Sequence, residues 1–214
     1  SGNLSVDGGT IKLDGNYPTG TGNVALGNLA LDDGSLSGNY NVAIGNASLS
    51  SNTTGVANMS MGASSMLSNT TGNNNIAIGH LSLTSNVTGD NNVAVGREAL
   101  ENNTASQNTA VGYQALEDNT TGSALASLGY LALNANTTGN FNTAVGNNSL
   151  KTNTTGSHNT ALGHESLEAN TGSNNTAVGS KALELNTASN NTAVGYQALT
   201  ANTSGQFNVA IGNY

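Results

Sequence analysis

Apolar and polar positions along residues 23–214 follow one short pattern that repeats about every 17 residues. Each unit contains the motif N-x-A-x-G or a close variant, and successive motif glycines are 16 to 18 residues apart. The glycines are Gly27, Gly45, Gly62, Gly79, Gly96, Gly112, Gly129, Gly146, Gly163, Gly179, Gly195 and Gly212. Self-similarity at a short fixed period is typical of a solenoid, in which each repeat forms one coil. The sequence therefore predicts a parallel β-solenoid of about twelve coils.

The three residues before each repeat glycine alternate in size. The third is always aliphatic, the first is Val, Ile, Thr, Met or Ala, and the middle residue is always Ala or Ser. Alternation with a period of two and many β-branched residues predicts a short strand. We expect the larger side chains to point into the coil and the Ala/Ser column to face a neighbouring surface. Twelve coils about 4.8 Å apart would make a rod roughly 55–60 Å long.

A second apolar position lies four residues after the glycine and is Leu in ten units and Met66 in one. Segments such as REALEN and KALELN contain good helix formers, so one helical turn ending at a left-handed Asn is one prediction. A second short strand is the alternative. The predicted core comprises Val95, Val111, Val145, Val178, Val194, Leu100, Leu116, Leu150, Leu183 and Leu199.

Asparagine occupies two fixed positions, one opening the strand and one seven residues after the glycine. Asn tolerates positive φ and bonds its own backbone in turns. In-register amides can also bond each other along a stack. We predict a structural ladder of Asn52, Asn69, Asn86, Asn103, Asn119, Asn136, Asn153, Asn170, Asn186 and Asn202.

The chain divides into an N-terminal cap or connector over residues 1–22 and the repeat solenoid over residues 23–214. The pattern stops at Tyr214 without a capping sequence, so we expect a fragment of a longer chain. An open solenoid end is a template for further strand pairing, which predicts end-to-end filaments.

Composition removes several classes of function. Only 7% of residues are charged, the net charge is −8, and the four basic residues are far apart in sequence, so nucleic-acid binding is not predicted. The absence of Cys removes thiolate catalysis and most structural zinc sites. No apolar run approaches the ~20 residues of a membrane span, so no membrane insertion is predicted.

The segments NVAIGNASL, NIAIGHLSL, NTAVGYQAL and NTTG resemble repeats of tail-fibre and virion structural proteins of bacteriophages, notably phages of marine bacteria. The N-x-A-[IV]-G core is also similar to head repeats of trimeric autotransporter adhesins. The resemblance implies a fibrous protein, a homotrimer and a location on a virion or cell surface. Its expected role is a rod that spaces or presents a receptor-binding tip.

The residues offer little chemistry, so neither an enzyme nor a cofactor is predicted. His164, Glu165 and Ser166 are adjacent, whereas a catalytic triad needs side chains that converge in space. Asp32, Asp33 and Gly34 lack the spacing of a calcium loop and predict a polar turn in an irregular first coil.

Two binding functions remain as alternatives. The residue after each glycine varies widely, which predicts exposure, and its aromatic members would offer flat faces to sugars. These candidate glycan contacts are His80, Tyr113, Tyr130, His164 and Tyr196. The threonines suggest ice binding, although those in the strands are expected to point inward.

Overall fold

The computed structural model describes residues 20–213, and these form a parallel β-solenoid without a helix. The strands are β1 (Val24–Leu26), β2 (Val42–Ile44), β3 (Met59–Met61), β4 (Ile76–Ile78), β5 (Val93–Val95), β6 (Thr109–Val111), β7 (Ala126–Leu128), β8 (Thr143–Val145), β9 (Thr160–Leu162), β10 (Thr176–Val178), β11 (Thr192–Val194) and β12 (Val209–Ile211). Their order in the sheet is their order in the chain, and equivalent residues are paired. The predicted parallel solenoid is confirmed. The predicted cap lies outside the described residues, apart from residues 20–22.

The strand side chains point the opposite way from the prediction. The middle residue of the strand is the buried one, as Ala110 shows with no exposed surface, while its neighbours Thr109 and Val111 face outward. The core assignment was therefore wrong for the strand valines, which are half-buried or exposed. These are Val95, Val111, Val145, Val178 and Val194.

The thinness of the coil explains this inversion. Ser60, in the middle of β3, donates a hydrogen bond to the carbonyl oxygen of Ser65 at 2.9 Å, across the interior of the same coil. Two opposite walls that approach this closely leave room only for Ala or Ser between them. The columns of small residues therefore mark the inside of the solenoid.

The segment after each glycine is a tight turn, so both the helix and the second strand were wrong. In the sixth coil, Gln114 and Leu116 have positive φ values of 51° and 55°. Their N–H groups bond to adjacent coils, from Gln114 to the Arg97 carbonyl and from Leu116 to the Ala132 carbonyl. Backbone groups that point along the solenoid axis cannot form the i to i−4 bonds of a helix.

Leucine accepts the left-handed conformation because its side chain becomes buried. That conformation costs a non-glycine residue roughly 1–2 kcal/mol, whereas burying a leucine side chain contributes about 2–3 kcal/mol. The predicted core leucines are confirmed as fully buried in four cases, and Leu199 packs partly buried against the core. The four are Leu100, Leu116, Leu150 and Leu183.

The repeat glycine turns the chain out of the strand. Gly146 has φ of 134°, and a Cβ there would lie 2.5 Å from the carbonyl oxygen of Gly163 in the next coil. Both the positive φ and the close stacking require glycine.

The predicted asparagine ladder is confirmed. Asn136 donates from Nδ2 to Oδ1 of Asn119 at 2.8 Å, and Asn119 donates in the same way to Asn103 at 2.7 Å. Each amide also donates to a carbonyl of its own turn, for example from Asn136 to Gly139. Because these amides are buried, each unmade bond would carry a desolvation penalty. One ladder step is missing, since Oδ1 of Asn86 has no partner.

A second asparagine ladder lies at the start of the strands. The backbone N–H of Asn58 donates to Oδ1 of Asn41 at 2.9 Å, and Nδ2 of Asn58 donates to the Gly72 carbonyl at 2.8 Å. Leu125 interrupts this ladder, because its buried side chain has no oxygen to accept a hydrogen bond. The backbone N–H of Asn142 in the next coil therefore lacks the amide acceptor that asparagine supplies in the other coils. Neither ladder uses the positive φ that was expected of Asn.

Two further ladders were not anticipated from the sequence. Thr120 donates from its hydroxyl to the Thr137 carbonyl at 2.9 Å. On another edge, the backbone N–H of Ser157 donates to the hydroxyl oxygen of Ser173 at 3.0 Å. The sequence signal for the second was a column of Asn, Asp and Ser six residues before the glycine.

Candidate functional site: the strand face

The outward side chains of β1–β12 form one continuous surface, which we name the strand face. It has a first column and a third column, named after positions in the strand. The first column is Val24, Val42, Met59, Ile76, Val93, Thr109, Ala126, Thr143, Thr160, Thr176, Thr192 and Val209. The third column is Leu26, Ile44, Met61, Ile78, Val95, Val111, Leu128, Val145, Leu162, Val178, Val194 and Ile211.

The strand face is unusually apolar for an exposed surface. Ile76 and Ile78 are each 37% exposed, and Leu128 is 51% exposed. Three-residue strands about 10 Å long, stacked over about 55 Å, give an area of roughly 550 Å². The largest apolar patch of a typical monomer spans about 300–600 Å² and is often functional. The strand face therefore has the size and chemistry of an interaction surface.

The strand face also carries no charge. In all twelve units, none of the five residues before the repeat glycine is Asp, Glu, Lys or Arg. Apart from Asp90, the charged side chains of the repeats instead follow the glycine in the turn, as Arg97, Glu98 and Glu101 do. Surfaces of an anionic chain can therefore meet at the strand face without direct repulsion between like charges.

The chemistry of the strand face changes along the solenoid. In coils 1–5 the first column is aliphatic, from Val24 to Val93, whereas in coils 6–11 it is Thr or Ala. The third column is aliphatic throughout. The strand face thus has an aliphatic half, formed by β1–β5, and a threonine half, formed by β6–β11, and β12 again has Val at the first position.

The threonines of the first column differ from those of the N-T-T turns. Turn threonines donate their hydroxyls to carbonyls of the next coil, as Thr137 does to Thr154 at 3.0 Å. Within residues 20–213, the structure shows no hydrogen bond from the first-column threonine hydroxyls. These are Thr109, Thr143, Thr160, Thr176 and Thr192. The expectation that strand threonines point inward was wrong, and their hydroxyls are presented outward instead.

The candidate glycan residues lie in one exposed column beside the strand face, as predicted. The rings of Tyr113 and Tyr130 stack with centroids 5.4 Å apart and an interplanar angle of 12°. On Tyr113, the guanidinium of Arg97 also lies 5.9 Å from the ring centroid. The remaining members, His80, His164 and Tyr196, are exposed.

This stacking affects the glycan hypothesis. A sugar packs on the open face of an aromatic ring, but the face of Tyr113 towards Tyr130 is covered by that ring. The Arg97 guanidinium lies over the ring as well. The column therefore presents ring edges rather than a row of open faces around Tyr113, and glycan binding remains an untested prediction.

Two charged clusters lie in the turns. Arg97 donates to Glu98 at 2.7 Å, which lowers the pKa of the Glu98 carboxyl. Lys181 lies 2.9 Å from Glu165 and 3.0 Å from Glu184, and its hydrogen bond lowers the pKa of Glu165. Both clusters are surface ion pairs between adjacent residues or coils.

Each cluster also brings three carboxylates together. Oxygen atoms of Glu98, Glu101 and Glu117 lie within 4.8 Å of one another, and an equivalent group is formed by residues 165, 168 and 184. Burial, followed by the nearby charge of Glu98, raises the pKa of Glu101. In the first group one carboxylate is already paired with Arg97, and in the second group two are paired with Lys181, so ion pairing accounts for the arrangement.

The adjacent residues 164–166 and the acidic residues 32–33 both have structural roles in the turns. Ser166 is buried and donates its hydroxyl to the Gly163 carbonyl at 2.9 Å, while His164 lies 3.5 Å from Glu165. Asp33 accepts hydrogen bonds from the backbone N–H and hydroxyl of Ser35, which lower the pKa of Asp33. The predicted polar turn is confirmed.

Residues 20–213 include no helix that is long and apolar enough to span a membrane. Comparison with protein families, curated proteins and solved structures finds no match for this chain. The fold defines the class, which is a parallel β-solenoid repeat protein with an exposed apolar strand face.

Proposed function

We propose that this chain is a rod segment of a fibre, in which copies associate through their strand faces. The rod would space or present a receptor-binding tip on a virion or cell surface. The continuous apolar strand face carries the proposal, since it spans every coil and lacks charge. This replaces the original reason for expecting oligomers, an outward Ala/Ser column, because that column is buried.

The area and the architecture support this proposal. The strand face covers roughly 550 Å², which is more than half of the ~800 Å² per partner of a standard protein interface. A rod also needs stiffness along its axis, which the hydrogen-bonded ladders of Asn119 and Asn136 supply between coils. The resemblance to tail-fibre and trimeric adhesin repeats favours three copies.

Molecular mass in solution tests the proposal. We expect a homotrimer by light scattering and sedimentation at micromolar concentration, and a clean monomer would contradict it. Ile78→Lys with Leu128→Lys should dissociate the assembly, because both side chains lie on the strand face. Asn102→Lys is the matched control, since Asn102 is exposed on the turn. Circular dichroism should show the same fold in all three proteins.

Ice binding is the second candidate, and the unpartnered threonine hydroxyls favour it. Strands about 4.8 Å apart hold these hydroxyls in a regular row beside a row of aliphatic side chains. Thermal hysteresis that disappears in Thr160→Lys with Thr176→Lys, but persists in Asn102→Lys, would support it. Because ice would need an uncovered strand face, this function requires a monomer, whereas the fibre requires an oligomer.

A further inference from the structure

The two halves of the strand face differ in the side chains that would become buried if two copies associated there. In the aliphatic half, first-column Ile76 and third-column Ile78 are both 37% exposed, and Met59 and Met61 are 39% and 38% exposed. In the threonine half, each aliphatic side chain has a threonine or alanine beside it, as Val178 has Thr176. Each strand of β1–β5 therefore offers two outward aliphatic side chains for burial, whereas each strand of β6–β11 offers a single larger one.

The threonine hydroxyls oppose association in the other half. The side-chain hydroxyls of Thr143, Thr160 and Thr176 make no hydrogen bond within the described residues, so they are available to bond water. A second apolar surface placed over them would remove that water and leave buried hydroxyls unsatisfied, which is unfavourable. The aliphatic half has no polar side chain to desolvate.

We propose that self-association of this chain is carried by the aliphatic half of the strand face, and that its partner is the same half of a second, parallel copy. An antiparallel copy that overlaps along the whole strand face would place the aliphatic half against the threonine half. This inference rests on the proposed association through the strand face and assigns the larger share of its apolar burial to five of the twelve strands.

Replacing three aliphatic residues by threonine in one half at a time tests the assignment. The aliphatic-half variant is Val42→Thr with Met59→Thr and Ile76→Thr, and the matched threonine-half variant is Val145→Thr with Val178→Thr and Val194→Thr. Strands of this chain already contain Thr at the first position, so the first variant retains a native strand pattern. Circular dichroism and melting would establish that both variants fold.

Sedimentation over a dilution series gives the outcome. We expect the dissociation constant to rise about tenfold or more in the aliphatic-half variant, and much less in the threonine-half variant. A gain variant, Thr143→Val with Thr160→Val and Thr176→Val, should associate more tightly than the original chain. Equal weakening by the two loss variants, or greater weakening by the threonine-half variant, overturns the inference.

Cross-linking gives an independent readout because the chain contains no cysteine. In a parallel assembly, single-cysteine Ile76→Cys should form disulfide dimers faster than Thr176→Cys under mild oxidation. Equal rates would contradict the assignment to the aliphatic half. An original chain that stays monomeric at every concentration would overturn both this inference and the proposed fibre, whereas an oligomer insensitive to the exchange would overturn this inference alone.

Discussion

Asn136 donates a hydrogen bond from Nδ2 to Oδ1 of Asn119 at 2.8 Å, and neither side chain has any exposed surface. The same amide nitrogen donates to the Gly139 carbonyl, and Oδ1 of Asn136 accepts from Asn153. One buried amide therefore connects three successive coils. A thin core of Ala and Leu is stabilised along its length by such amides as well as by apolar burial.

Removing one amide from the ladder should be strongly destabilising. Asn136→Ala removes the donor to Oδ1 of Asn119 and to the Gly139 carbonyl, and it leaves Nδ2 of Asn153 with the Gly156 carbonyl alone. Since an unsatisfied buried polar group costs about 1–3 kcal/mol, we expect the free energy of unfolding to fall by about 3 kcal/mol. Urea denaturation of the variant and of an exposed control, Asn102→Ala, measures the difference. A loss no larger than that of the control would contradict a structural ladder.

The interrupted ladder at Leu125 gives the reverse experiment. Leu125→Asn would supply an acceptor for the N–H of Asn142, as Asn41 does for Asn58. The new hydrogen bonds oppose the loss of one buried leucine, and because orphaned buried groups cost about 1–3 kcal/mol, we expect stability to rise by about 1 kcal/mol. A lower midpoint of thermal unfolding would show that the leucine contributes more than the missing bond.

Glycine at the corner after the strand should be indispensable. Gly146→Ala combines a φ of 134° with a Cβ 2.5 Å from the Gly163 carbonyl oxygen, so we expect a loss of roughly 3 kcal/mol or more. Gly34 is the matched control, because a Cβ there meets nothing within 4 Å. Gly34→Ala should leave stability unchanged or raise it by about 0.5 kcal/mol. Similar effects at the two sites would contradict the close stacking of the corners.

The sequence predicted the solenoid and one asparagine ladder because both follow directly from repetition. A period of about 17 residues places Asn119 above Asn103 in any in-register stack, whatever the shape of the coil. The pairing of the strands follows in the same way, since each strand can only meet its own copies.

The shape of the coil could not be derived from residue types alone. The sequence predicts a buried Val111 because Val111 is larger and more apolar than Ala110. The structure buries Ala110 instead, because the two walls of the coil are too close together for a larger side chain. Local residue propensities do not encode the distance between those walls. A useful signal was the variation within the repeats, since the middle strand column is only Ala or Ser while its neighbours vary. Leu116 likewise takes a left-handed conformation that helix propensity does not predict, because neighbouring coils supply its hydrogen bonds.

Two substitutions at adjacent residues test the strand orientation directly. Ala110→Val adds two methyl groups to a closed core, so we expect a loss of about 1–3 kcal/mol. Val111→Ala removes a half-buried side chain and should cost less than about 1 kcal/mol in a monomeric chain. Chemical denaturation below the association concentration measures both. A larger loss of stability in Val111→Ala than in Ala110→Val would instead support the orientation predicted from the sequence, with Val111 inside the coil.

The ion pairs predict a pH dependence with a defined sign. The hydrogen bond from Lys181 lowers the pKa of Glu165 below its ordinary value of about 4.3. The pair therefore stabilises the folded chain above that value, and its contribution is lost as the pH falls through the lowered pKa. Lys181→Met should be less stable than the original chain near neutral pH, and the difference should shrink in acid.

Lys151 supplies the control for this prediction. No ion pair involves Lys151 within residues 20–213, so Lys151→Met should show no pH-dependent difference from the original chain. Denaturation profiles between neutral pH and acid, at low and at high salt, measure all three proteins. Salt should reduce the effect of Lys181→Met, because exposed charges are screened within about 10 Å. A difference between Lys181→Met and the original chain that is constant with pH would assign the role of Lys181 to the packing of its stem rather than to its charge.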